Sequence, residues 1–183
     1  MGRWVALDLE TTGLSPTRHE IREIAALPFD AQTDGMEEPP WSVVAHLQPS
    51  PGQNARATLV QLLGRIGEGS AIVSHNAAFD LAFLAEALRR ARVRSFGLRA
   101  YCTLRLSRAV FPDLCRYDLA SLRDVLQLPK EKPHVALADA RTVAALFKVV
   151  ARKAGILDEE SLRTLHGPPL QVRSRSAVPG APP

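Results

Sequence analysis

The sequence predicts an α/β domain, five strands joined by helices around one core. Three observations carry this expectation. Short apolar runs bounded by turn residues recur five times, stretches with apolar residues at helical spacing separate several of them, and 46% of the 183 residues are hydrophobic. That is enough for one well-filled core in a chain too short for two comfortable ones.

Residues 4–10 read as the first strand, with Val5, Leu7 and Leu9 on one face. Asp8 and Glu10 share the other face, roughly 7 Å apart along it. Thr11-Thr12-Gly13-Leu14-Ser15-Pro16 has turn composition, and residues 20–29 give a second apolar strand. Residues 30–40, polar with paired prolines, predict a loop before a third strand at 41–47, so the first three strands form a meander. Helical spacing follows over 57–66, then a short fourth strand at 71–74 and a helix over about 77–92. The apolar stripe of that helix runs Asp80, Leu84, Ala87, Leu88, Ala91, with an acid at its first position. Residues 98–102 give the fifth strand, and 103–110 and 119–126 two short helices, the second with Asp118 as N-cap. The last strong helix, 136–154, is ended by Gly155, and its stripe again begins with a carboxylate: Asp139, Val143, Leu146, Phe147, Val150. Residues 158–165 predict one or two helical turns, and the proline and small residues from Gly167 onward predict a mobile tail.

Composition narrows the function classes. No stretch approaches the roughly 20 apolar residues of a membrane span, and no secretory apolar region follows Met1, so a cytoplasmic protein with no membrane association is expected. Cys102 and Cys115 are too few and too far apart for a disulfide scaffold and read as two reduced thiols. A balance of 23 basic to 19 acidic side chains permits nucleic-acid binding without requiring it. Between residues 88 and 117 stand eight arginines against one acid, Asp113. They make either a solvated face or a track for phosphates.

Four carboxylates, Asp8, Glu10, Asp80 and Asp139, occupy segments whose same-face neighbours are apolar, which asks for a bound cation. Hard oxygen ligands of this kind suit Mg²⁺ or Mn²⁺ rather than zinc, and a cluster of them suits a two-metal site for phosphoryl displacement. His134, five residues before Asp139, can serve as a base near neutral pH. Singly these features are commonplace: an Asp-x-Glu is usually surface charge, a helical Asp often a cap, a lone histidine more often structural.

Together they resemble a known family. Asp8-Leu9-Glu10-Thr11-Thr12-Gly13, then Ser74-His75-Asn76-Ala77-Ala78-Phe79-Asp80, then His134-Val135-Ala136-Leu137-Ala138-Asp139-Ala140 are similar, in order, to the three motifs of the DnaQ-like 3′ to 5′ exonucleases. The subgroup is the DEDDh one, which includes the proofreading epsilon subunit of bacterial DNA polymerase III. Val135 stands where the sister subgroup carries a tyrosine, which favours the histidine assignment. The resemblance spans residues 5–147.

The resemblance implies a ribonuclease H-like fold, a mixed five-stranded sheet flanked by helices, with residues 1–155 as the exonuclease domain and 156–183 as a short helix and flexible tail. It implies that Asp8, Glu10, Asp80 and Asp139 hold two Mg²⁺ or Mn²⁺ ions and that His134 acts as general base. Thr11, Thr12 and Gly13 would lie under the terminal nucleotide, with Leu14 as a wedge against its base and Phe79 as a flanking apolar contact. Asn76 is expected to begin its helix, His75 to order the loop it ends, and His19 and Glu23 to be scaffold. The implied activity is release of nucleoside 5′-monophosphates from single-stranded 3′ ends, of DNA first, with a DNA polymerase subunit as a partner. RNA trimming by the same site, an RNase H-like endonuclease, and a non-catalytic nucleic-acid-binding or polymerase-docking module are the alternatives. Two departures stand out: Cys102-Thr103 replaces an Asp-Thr pair, and Ser50-Pro51-Gly52-Gln53-Asn54 does not reproduce the segment that many members carry before the first helix.

Overall fold

The computed structural model describes residues 4–32, 41–47, 53–130, 132 and 134–172. All five expected strands form: β1 (Trp4–Thr11), β2 (Ile21–Phe29), β3 (Trp41–Leu47), β4 (Ala71–Ser74) and β5 (Leu98–Cys102). The helices are α1 (Gln53–Ile66), α2 (Ala77–Arg90), α3 (Thr103–Val110), α4 (Leu119–Val125), α5 (Ala136–Ala154) and α6 (Glu159–His166). Gly155 closes α5 in the left-handed conformation at φ 66°, and Asp118 caps α4 by accepting the Ser121 N–H at 3.0 Å.

The sheet is mixed, in the order β3-β2-β1-β4-β5, and β1 to β3 form the expected antiparallel meander. β4 and β5 run parallel to β1, because each is reached through a helical crossover. A sixth strand, β6 (Leu170–Val172), adds antiparallel to the free edge of β5. Residues 170–172 of the segment expected to be a tail are thus part of the sheet. Residues 173–183, the segment from 33 to 40 and the departure at 50–52 lie outside the described residues.

Helices cover both faces. On one, Leu59, Leu62 and Ile66 of α1 and Leu84 and Leu88 of α2 pack on Val5, Leu7 and Leu9. On the other, Val143, Leu146, Phe147 and Val150 of α5 pack on Trp4, Ala6, Leu27 and Phe29, with the Trp4 and Phe147 rings 4.9 Å apart. The first four residues of β1 are therefore buried whichever way they point. Asp8 and Glu10 continue the face of Trp4 and Ala6, but at the carboxyl end of the strand, where the covering helix begins and burial gives way to partial exposure. Among the described residues no helix is long and apolar enough to cross a membrane.

Candidate active site

Three chain segments converge at that end of the strand. The first is the end of β1 and the turn beyond it. Thr12 exchanges two hydrogen bonds with Glu20: its N–H donates to the Glu20 carbonyl at 3.0 Å, and its Oγ1 accepts the Glu20 N–H at 2.9 Å. Thr11 Oγ1 donates to the Gly13 carbonyl at 2.8 Å. Gly13 lies flat against the His19 ring, so that a Cβ built there would stand 2.4 Å from Cδ2. His19 closes the turn, its Nδ1 accepting the Ser15 N–H at 3.1 Å. Leu14 is left at the tip, 84% exposed.

The second segment joins β4 to α2. Asn76 begins α2 through a left-handed backbone at φ 62° and makes no side-chain cap, a conformation that asparagine tolerates better than most residues. Asp80 follows in the first turn, 3% exposed, and takes a hydrogen bond from the buried Ser74 hydroxyl on Oδ2. His75 spans to the far side, with Nδ1 3.0 Å from Thr103 Oγ1 and Nε2 2.9 Å from the Tyr117 carbonyl oxygen. Its two contacts hold the start of α3 and the approach to α4, the ordering part expected of it. Phe79 is partly buried and packs on Phe83, ring centroids 4.9 Å apart.

The third segment is the start of α5. His134 adopts φ 59°, and its backbone N–H donates to Asp139 Oδ2 at 3.0 Å. Asp139 thereby supports an otherwise unpaired amide at a helix N-terminus, where negative charge is favoured. Ligand atoms of Glu10, His134 and Asp139 all lie within 4.8 Å of one another.

Charge is concentrated here under unfavourable terms. Asp8 is held well above the usual carboxylate range by burial first and then by Asp80, Asp139, Glu10 and Glu23. Burial pushes Asp80 up to about 7, against the pull of the Ser74 hydrogen bond. Glu10 is raised by burial and by Asp139, and Asp139 by burial, while His134 draws both back. Every leading influence on Asp8 has one sign. A divalent cation reverses that sign, and oxygen donors on three elements with an imidazole beside them are the donor set that Mg²⁺ or Mn²⁺ accepts. The residues fit such ions.

A family description of RNase_T exonucleases matches residues 45–147, more than half of the 183-residue chain. The chain belongs to this exonuclease family. The match includes Asp80, His134 and Asp139, while Asp8 and Glu10 precede it. Its relatives agree with the DnaQ-like resemblance. The DNA polymerase III subunit epsilon of Aquifex aeolicus is 27% identical over 182 residues, which cover 90% of this chain and 90% of that protein. The 3′-5′ exonuclease DinG of Bacillus subtilis is 28% identical over 177 residues, 89% of this chain. The chain spans 19% of DinG and 12% of the PolC-type DNA polymerase III of Streptococcus thermophilus, matching one segment of these longer proteins. Among solved structures, exonuclease X in complex with 5′-overhanging duplex DNA superposes with a TM-score of 0.62 at 25% identity, over 91% of this chain and 100% of that one. The mixed sheet is the ribonuclease H-like fold of these exonucleases.

The exonuclease fold brings Asp8, Glu10, Asp80, His134 and Asp139 together, with Thr11 to Leu14 following Glu10 in the chain and Phe79 preceding Asp80. Two further groups act on this cluster. Glu23 lies opposite Glu10 across the β1–β2 pair and raises Asp8, Glu10 and Asp139, so this residue, expected as scaffold, shares in the electrostatics of the site. Arg123 of α4 pulls Asp139 down. Hairpin register was the signal that could have found Glu23. Much of the arginine run has partners within the chain: Arg89 and Arg90 bind Glu86, Arg99 binds Glu159, Arg116 binds Asp118, and Arg108 lies over the Tyr117 ring.

Proposed function

We propose that this exonuclease-family chain hydrolyses nucleic acid from 3′ ends, taking single-stranded DNA ends and releasing nucleoside 5′-monophosphates. The observation that carries the reading is the surroundings of Asp8: a buried carboxylate on which four others press, with His134 beside Glu10 and Asp139. Asp8, Glu10, Asp80 and Asp139 would hold two Mg²⁺ or Mn²⁺ ions. Such ions supply charge compensation at the attacking and leaving oxygens of an in-line displacement.

The chain's own groups do the remaining work. A ring nitrogen of His134 takes a proton from the attacking water as its oxygen bonds to the terminal phosphorus. The bond from phosphorus to the O3′ of the preceding nucleotide breaks, and that oxygen leaves as the new 3′ hydroxyl after gaining a proton from solvent. Asp139 orients His134 through the backbone N–H it accepts. Thr11, Thr12 and Gly13 form the floor under the terminal nucleotide. Leu14 and Phe79 flank its base, Leu14 because it is a large apolar side chain left 84% exposed at the tip of the turn.

The catalytic residues all lie within 1–155, residues 156–172 complete the same fold with Ile156 and Leu162 in its core and β6 on its sheet, and the protein works in the cytoplasm. The near full-length likeness to a polymerase III epsilon subunit supports a DNA polymerase subunit as partner. The test is digestion of single-stranded DNA, mismatched duplex DNA and short RNA, labelled at either end, with Mg²⁺ or Mn²⁺, beside a hairpin lacking a free 3′ end. Mononucleotides released from 3′ ends are expected, with DNA preferred to RNA and the hairpin uncut. Full activity in Asp139→Ala would sink the reading.

A further inference from the structure

The turn that carries Leu14 is tied to α2 by a partly buried guanidinium. Arg90, the last residue of α2, sends Nη2 to the carbonyl oxygens of Pro16 at 3.2 Å and Thr17 at 2.8 Å, 74 and 73 residues away in sequence. Its Nε donates to Glu86 Oε1 at 2.7 Å, one turn back on the same helix, and each of these side chains is 15% exposed. Arg89, 70% exposed, grips both oxygens of Glu86 from the solvent side. A guanidinium is a rigid planar fork, so fixing Nε on Glu86 decides where Nη2 points. It points at the turn.

The two elements joined in this way carry the two apolar side chains read above as flanking the terminal base. α2 carries Asp80 and Phe79 in its first turn, and the tethered turn carries Leu14 at its tip. The hydrogen bonds made by Thr11, Thr12 and His19 lie within residues 11–20 and give the turn its own shape. Arg90 adds what those bonds do not, a fixed position of that shape relative to α2. The bonds to the two carbonyls are charge-assisted, and Glu86 keeps the charge from having to be solvated.

We propose that Glu86 and Arg90 are a positioning pair that sets the separation of Leu14 from Phe79 and thereby the grip on the 3′-terminal nucleotide. This rests on the site reading given above. Arg90 touches no reacting atom and acts through Leu14.

The test is steady-state digestion of a single-stranded oligodeoxythymidine by wild type, Arg90→Ala, Arg90→Lys, Leu14→Ala and the Arg90→Ala/Leu14→Ala pair, each also melted thermally. A lost grip weakens binding alike before and in the transition state, so Arg90→Ala should raise KM about tenfold with kcat changed by less than about threefold. Arg90→Lys should recover part of this, because an ammonium reaches one carbonyl without the fork. On the Leu14→Ala background the Arg90→Ala effect on KM should vanish. An unchanged KM in Arg90→Ala overturns the proposal, as does a wild-type KM in Leu14→Ala or a KM increase of equal size with and without Leu14. If Arg90→Ala fails to fold, Glu86→Gln replaces it and must raise KM in a Leu14-dependent way. Full activity in Asp139→Ala is a separate result that removes the nuclease site itself, whatever Arg90 does.

Discussion

His134 makes its hydrogen bond to Asp139 from the backbone: the N–H donates to Oδ2 at 3.0 Å, from a residue at φ 59°. The left-handed conformation costs a non-glycine residue roughly 1–2 kcal/mol. The amide that it aims at Asp139 is available to any residue there, whereas the imidazole is specific to histidine.

His134→Gly should therefore separate the two parts. Glycine adopts this conformation without the steric penalty and keeps the amide, so the thermal midpoint should hold or rise. Turnover should fall by about 10² to 10⁴, the usual worth of a general base. Single-turnover rates beside a melting curve give the comparison, and a rate within about tenfold of wild type would remove the imidazole from the chemistry.

Gly13 supplies a steric prediction. Its missing side chain makes room for the His19 ring, whose Cδ2, Nε2 and Cγ would stand 2.4, 2.5 and 2.7 Å from a Cβ. Gly13→Ala must displace either the ring or the backbone of the turn, a strain of about 1–3 kcal/mol. Denaturant titration should show that loss, and His19→Ala in the same chain should return part of it, since the clash needs both partners. Additive losses in the double variant would mean that the ring and Gly13 do not compete for space.

Much of the site was legible because its residues belong to local patterns. Asp8 and Glu10 announce themselves by the strand period, and Asp80 and Asp139 each open an apolar helical stripe, so sequence spacing alone puts all four at element ends. What was not legible depends on contacts between distant segments. The Arg90 fork reaches across 73 and 74 residues. Glu23 meets Glu10 only through the register of β1 on β2, which shifts between Glu10 and Thr11. β6 has three residues, too few for a period to show, in a segment whose prolines pointed elsewhere. The arginine run likewise crosses the end of α2, β5 and α3, and Arg89, Arg90, Arg99 and Arg116 are paired with Glu86, Glu159 and Asp118.

The buried carboxylate of Asp80 predicts how stability responds to pH before any ion binds. Burial pushes Asp80 up to about 7 in the folded chain, while an unfolded chain releases that proton near 3.9. Between those values the folded state holds the extra proton, so stability is greatest at the acid end and falls as pH rises through about 7. Asp8, Glu10 and Asp139 are raised too and act with the same sign. His75 and His166 are lowered by burial, and their opposing loss of stability begins only as pH falls below about 6.5. With chelator present, the melting temperature should thus rise as pH is lowered from about 8 to 6.5. Asp80→Asn should melt higher than wild type at the alkaline end and show a flatter dependence, while losing nuclease activity. Ser74→Ala should act in the opposite direction: the Ser74 hydroxyl lowers Asp80, so its removal lets the proton compete longer with a divalent ion. The acid limb of its profile of kcat/KM against pH should therefore move to higher pH. A Ser74→Ala limb that coincides with wild type would show that Asp80 does not titrate on the path to activity.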